Sequence, residues 1–231
     1  MMGMIGTFFR RFIGVFSSPG ELFREIGKGA VKRDLALPFL SFFLVTVISV
    51  ALMEPVNRTF SKEMVQKSSR YTEEQKVVII ERIESSDHAV LKYVFGGLQS
   101  AVMFFIFTGM MFLLGNFIGG GEGSWIKILT GSIYIQQIDL LNYLVKVPLI
   151  LYQKTIHVFT GAAMFFSEVD MSSPLFNAAA QLDFFRLWKY FLWFILFREM
   201  YKFSKNKSFI FTVIPFLAVM FLGIFLLGMS Q

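Results

Sequence analysis

The sequence has no cysteine, and its two histidines, His88 and His157, lie far apart in the chain. Disulfides, thiol catalysis and thiolate metal sites are therefore excluded. No HExxH pair exists, so a zinc-hydrolase pattern is missing as well. Charge is also scarce: Asp, Glu, Lys and Arg make up 16% of the chain, against about 25% in an ordinary soluble domain. The glycine-rich stretch at 119–123 is not followed by Lys-Ser/Thr, which excludes a phosphate-binding P-loop. Ser124 is followed by Trp125 and Ile126, so no G-x-S-x-G elbow forms. From Met1 to Val15 there is no long apolar core ending in small residues, so the N-terminus does not read as a cleavable signal. These absences predict a protein that is not an enzyme and uses no metal or cofactor.

What is present is grease. Hydrophobic residues make up 55% of the 231, and phenylalanine alone supplies 30. A soluble domain of this size could not hide that much apolar surface, so lipid is the expected solvent for much of it. Leu35 to Met53, Tyr93 to Gly121 and Ser208 to Gln231 carry no charge. Two weaker stretches, Ile126 to about Tyr152 and about Phe184 to Phe203, carry ionisable residues inside. At roughly 20 apolar residues per crossing, the expected fold is an all-α membrane bundle of five spanning helices with an N-terminal interfacial helix. The spans are placed at about 35–53, 94–118, 126–152, 184–203 and 209–228, with Pro38 and Pro215 near the starts of theirs. Gly109 and Gly115, in the second, suit close helix packing.

The net charge of +6 comes in patches. Arg10, Arg11, Arg24, Lys28, Lys32 and Arg33 precede the first span, and Arg198, Lys202, Lys205 and Lys207 precede the last. Under the positive-inside rule these segments share the cytoplasmic side. The N-terminus is then cytoplasmic and the C-terminus outside, in a multi-pass protein of the cell membrane. The opposite side has Lys154 in a loop with Glu168, Asp170 and Asp183, and also the 54–92 loop, the exception to the rule, with seven basic and seven acidic residues. This pattern favours anionic lipid over nucleic acid as partner.

Two segments are expected outside the hydrocarbon. In 1–33, a cytoplasmic interfacial segment, Phe8, Phe9, Phe12, Ile13 and Phe16 recur at helical spacing with Arg10 and Arg11 between them, as in a helix lying in the headgroup plane. Ser18-Pro19-Gly20-Glu21 then reads as a helix start, with Leu22, Phe23 and Ile26 as its apolar face. The rest, 34–231, forms the membrane domain, with 54–92 as an extramembrane loop. There Thr72 and Gln75 predict a capped helix that continues through Val77, Ile80 and Ile83.

The sharpest pattern lies in the weak spans, because ionisable groups at membrane depth need partners. Gln136, Asp139, Asn142 and Lys146 share one helix face, as do Asp183, Arg186, Lys189 and Trp193. One antiparallel register pairs Lys146 with Asp183, Asn142 with Arg186, Asp139 with Lys189, and Gln136 with Trp193. Such a seam serves either as structural glue or as a polar path for an ion, proton or headgroup.

Three ordered stretches resemble the Yip-domain family of small polytopic membrane proteins. The first is Ser18 to Ile26, with Pro19, Glu21, Phe23 and Ile26. The second is Gly119 to Trp125, with Gly120, Gly121, Gly123 and Ser124. The third is Leu182 to Trp188, with Asp183, Phe185 and Trp188. The sequence departs from the family where a proline often follows the tyrosine of the third span; here Ile135 to Asn142 contains none. The short N-terminal arm is like that of prokaryotic members. The resemblance implies five spans and a non-catalytic role, organising membrane or assisting a membrane complex such as an ABC-type exporter. In a eukaryotic relative it implies a small GTPase partner. The alternative is a small transporter or channel that uses the polar seam.

Overall fold

A computed structural model describes residues 3–29, 32–85, 89–166 and 173–229. His88, Glu168 and Asp170 lie outside the described residues. The described elements are all helical. They are α1 (Met4–Ser17), α2 (Pro19–Gly29), α3 (Ala36–Lys67), α4 (Glu73–Glu84), α5 (Ala89–Leu113), α6 (Trp125–Ile135), α7 (Ile138–Gln153), α8 (Pro174–Gln181), α9 (Phe184–Met200) and α10 (Lys205–Met229). Short 3-10 turns at Lys32–Leu35 and Ala162–Phe165 precede α3 and α8.

Among the described residues three helices are long and apolar enough to cross a membrane: Lys32–Lys67, Val90–Ile118 and Lys205–Ile224, with mean hydropathies of 2.5, 2.1 and 2.1. Only 22%, 28% and 17% of their most apolar stretches are buried inside the protein. Their remaining apolar surface is left uncovered by the described residues, as suits helices of membrane-spanning length. The 17 residues of α9 give it a length of about 26 Å at 1.5 Å per residue.

Contacts divide the chain into two units. The first comprises Met1–Phe42, Met103–Leu140 and Phe159–Gln231. Within it α2 packs on α9 and α6, α1 on α2 and α6, and α10 on α9 and α8. Phe23, Ile26, Ile128, Leu192, Leu196 and Phe197 are completely buried there. Where these helices lie in lipid, such packing stabilises through van der Waals contact rather than by removing apolar surface from water. The apolar face of α2, formed by Leu22, Phe23 and Ile26, is therefore part of the core of this unit. In α1 the ring of Phe8 packs on Tyr134 and that of Phe16 on Trp188, whereas Met4, Ile5, Phe9 and Ile13 are exposed. Arg11, expected on the polar face, is buried.

The second unit comprises Phe43–Val102 and Leu141–Val158. The helix predicted to stop near Met53 runs on to Lys67 through Pro55. Its 32 residues reach about 48 Å, well beyond a hydrocarbon core of about 30 Å. Glu54 does not end it because Lys92 lies 2.8 Å and Arg58 3.4 Å from its carboxylate. The 54–92 region is therefore helical for most of its described length. Thr72 and Gln75 form a reciprocal capping box at the start of α4. Close helix packing uses glycines other than Gly109, which has open space around it; a Cβ at Gly97 would come within 2.7 Å of Val47. Pro215 is interior to α10, since that helix begins at Lys205 and leaves the proline well past the first turn, where its missing N–H does cost a hydrogen bond.

Candidate functional site

The three motif stretches converge in the first unit. Pro19 opens α2, and the Leu22 amide donates to Ser18 O at 3.1 Å. Glu21 sits in the first turn of α2, and Phe23 and Ile26 are fully buried. The α2 helix lies along α9, to which Arg24 adds an ion pair with Glu199 at 3.0 Å. Asp183 caps α9, accepting from the Phe185 and Arg186 amides and from Thr160 Oγ1 at 2.6 Å. Phe185 is buried, and the Trp188 ring packs on Phe16 and Phe184.

The glycine-rich stretch closes on the far end of α9. The end of the α5 segment widens into a π-turn at Leu114–Ile118, with the Gly119 amide donating to Leu114 O. Gly120 follows at φ +58°, a conformation glycine adopts without penalty. Asn116 then holds both backbone groups of Gly123, at 2.7 and 3.0 Å. Ser124 occupies the cap position of α6. The ring of Tyr201, just past α9, lies against this turn. A Cβ at Gly115 or Gly123 would come within 2.5 Å of it, and one at Gly121 would also collide with it. Lys207 donates to Gly119 O and lies 4.2 Å over the Phe203 ring.

The polar seam is partly assembled within this unit. Lys189 Nζ lies 2.9 and 3.0 Å from the two Asp139 oxygens and donates to Gln136 Oε1 at 3.2 Å. Both ionic side chains are mostly shielded, at 16% and 27% exposure. Gln136 thus partners Lys189 rather than Trp193, whose ring packs on Phe107 and Phe197. Arg186 donates to Gln181. Asn142 and Lys146 belong to the second unit. There the Asn142 Oδ1 is buried with no hydrogen-bond partner among the described residues.

The helix predicted over 126–152 is not continuous. It breaks between α6 and α7 at Gln136–Gln137. The Gln137 amide donates to Tyr134 O instead of Ile133 O, and its side-chain Nε2 donates to Ile133 O at 3.1 Å and to Pro38 O at 3.0 Å. Ser41 Oγ donates to Gln137 Oε1. One buried amide side chain thus satisfies the carbonyl that the break frees, which a buried backbone group requires. No proline is needed for the break.

A second cluster, unseen in the sequence, anchors α1. Arg11 Nε lies 3.0 Å from Glu25, and its Nη1 lies 3.0 Å from Asp34. Arg10 also pairs with Glu25. The Arg10 hydrogen bond holds the Glu25 carboxyl below its ordinary pKa, against the opposing effect of burial and with Arg11 adding to the lowering. A depressed carboxylate stabilises the fold above its unfolded pKa of about 4.3, and that contribution is lost as pH falls through the lower folded value. Acidification below about pH 4 should therefore increase protease access to α1. Glu25→Gln should produce the same loosening at neutral pH, by no more than about 1 kcal/mol given its exposure. A cleavage rate that is identical across this range, and in the variant, would show that the cluster does not hold α1.

Among the described residues no group of three or more His, Cys, Asp or Glu could hold a metal ion. No curated protein and no solved structure matches the chain. The Yip1 domain matches residues 13–227, which include all three convergent motifs, and the chain belongs to the Yip1 domain family.

Proposed function

We propose that this Yip1-domain membrane protein crosses the cell membrane five times, with its N-terminus cytoplasmic and its C-terminus outside. It acts there without catalysis, organising the membrane or assisting a membrane complex such as an ABC-type exporter. The family is generally non-catalytic, and its eukaryotic members bind Rab GTPases; a small GTPase is the corresponding partner if this chain is eukaryotic. The observation that carries the reading is α1. It is tied to the bundle through Arg11, yet Met4, Ile5, Phe9 and Ile13 are 50–63% exposed. An amphipathic helix fixed in this way inserts shallowly into one leaflet or presents the same face to a membrane partner.

Tags at the two chain ends should report opposite compartments, and the same compartment for both would overturn the five-span reading. The double substitution Phe9→Glu/Ile13→Glu removes apolar surface that no core residue uses. It should weaken liposome remodelling or partner co-purification about tenfold while leaving the melting temperature unchanged, since charge on the inserted face of such a helix costs over 1.4 kcal/mol. Unchanged remodelling and co-purification would sink the role given to α1. The second reading, a small transporter or channel, draws support from the Asp139–Lys189 pair beside the helix break at Gln136–Gln137, because irregular backbone at membrane depth lines cavities. It requires solute flux in liposomes that Asp139→Asn/Lys189→Met, which removes both charges together, abolishes.

A further inference from the structure

Between α9 and α10 runs an open groove of about 480 Å³, within the ~300–1,000 Å³ of small-molecule sites. Leu187, Phe191 and Phe194 line it from α9, and Phe209, Val213 and Leu217 from α10, at helical spacing. Phe191 and Phe209 are more than half exposed, so the protein itself leaves the groove uncovered. Sharing Phe194 and Phe209, it continues into a smaller recess of about 350 Å³ that adds Lys205 and Asn206. Arg198 follows Phe194 by one turn on the same face of α9, so two cations flank this end. Neither is in an ion pair or a hydrogen bond among the described residues. Measured along α10, Lys205 to Leu217 is about 18 Å, close to one leaflet of a hydrocarbon core of ~30 Å.

We propose that this groove binds one acyl chain of an anionic glycerophospholipid, with its phosphate held between Arg198 and Lys205. An apolar trough one leaflet long, with two cations toward one mouth that are unpaired among the described residues, complements that amphiphile. A neutral lipid or a second copy of the chain would make no use of the two cations. The assignment rests on the reading that α9 and α10 lie side by side in lipid.

The test is native mass spectrometry of the purified full chain offered equal phosphatidylglycerol and phosphatidylcholine. Wild type should retain phosphatidylglycerol on the order of tenfold better, as two cations at roughly 1 kcal/mol each allow. Arg198→Ala/Lys205→Ala should lose the preference, and Val213→Trp, which fills the groove, should lose retention of both lipids. Equal retention by wild type, a preference that survives the double substitution, or a dimer that excludes lipid would overturn the assignment. The absence of native cysteine permits a separate check with Phe191→Cys in membranes. Protection from a water-soluble maleimide together with no lipid preference rejects the lipid site alone; labelling rejects the membrane placement of α9 and the site with it.

Discussion

Substituting Gly123 by alanine should cost this protein about 1–3 kcal/mol, and trimming Tyr201 to alanine about 3–5 kcal/mol, yet the two together should cost little more than the second alone. The reason is steric. A Cβ at Gly123 would come within 2.5 Å of the Tyr201 ring, and Asn116 pins the Gly123 backbone so that it cannot retreat. Once the ring is gone the methyl has room. Proximate residues of this kind are where additivity fails. Tyr201→Phe adds a sharper test. The Tyr201 Oη is buried without a hydrogen-bond partner among the described residues, so removing it should be neutral or stabilising, because an unsatisfied buried hydroxyl carries a desolvation penalty. Thermal melts in detergent measure all four variants against wild type. Strict additivity of the first pair, or a large loss on Tyr201→Phe, would mean that the turn does not depend on this ring.

The same turn illustrates how far the sequence could be read. Gly120, Gly121 and Gly123 stand out as a motif because glycine is conspicuous, but the tyrosine that Gly121 and Gly123 accommodate lies some eighty residues away, with no spacing to link it. Local chemistry fared better. Thr72 and Gln75 are three residues apart and cap α4 reciprocally, since both partners of a capping box lie within one turn. The apolar stretches of α3, α5 and α10 are equally plain, being runs of composition rather than contacts. Arg11 reads as solvated from its place between phenylalanines on an amphipathic helix, whereas the fold buries it. Only the tertiary fold brings Glu25 and Asp34 to it, and burying the guanidinium requires both. The break at Gln136–Gln137 was invisible for a related reason. Polar residues at helical spacing continue across it, so the pattern persists where the backbone does not. Two adjacent glutamines in an apolar stretch were the available signal. One of them supplies Ile133 O with the donor that the backbone withdraws.

That break gives the Asp139–Lys189 pair its expected weight. Asp139 lies in the first turn of α7, where the partial positive charge of the helix end already favours a carboxylate. Lys189 reaches both of its oxygens and Gln136 as well. Removing one member leaves the other charge shielded without a counterion, which costs about 3–5 kcal/mol in a buried pair. Asp139→Lys alone, and Lys189→Asp alone, should therefore each cut membrane yield severely. The double reversal restores opposite charges across the same gap, but it places a cation at the start of α7 and so forfeits up to roughly 1 kcal/mol of helix-end stabilisation. Its yield should accordingly recover most of the loss rather than all of it. Asp139→Asn/Lys189→Met removes both charges and should be tolerated nearly as well as wild type if the pair is glue, since a buried pair contributes little net stability over apolar replacements. If that neutral double variant folds normally but abolishes a flux that wild type supports, the pair is a conducting element. A double reversal no better than either single change would mean that the two residues do not depend on each other.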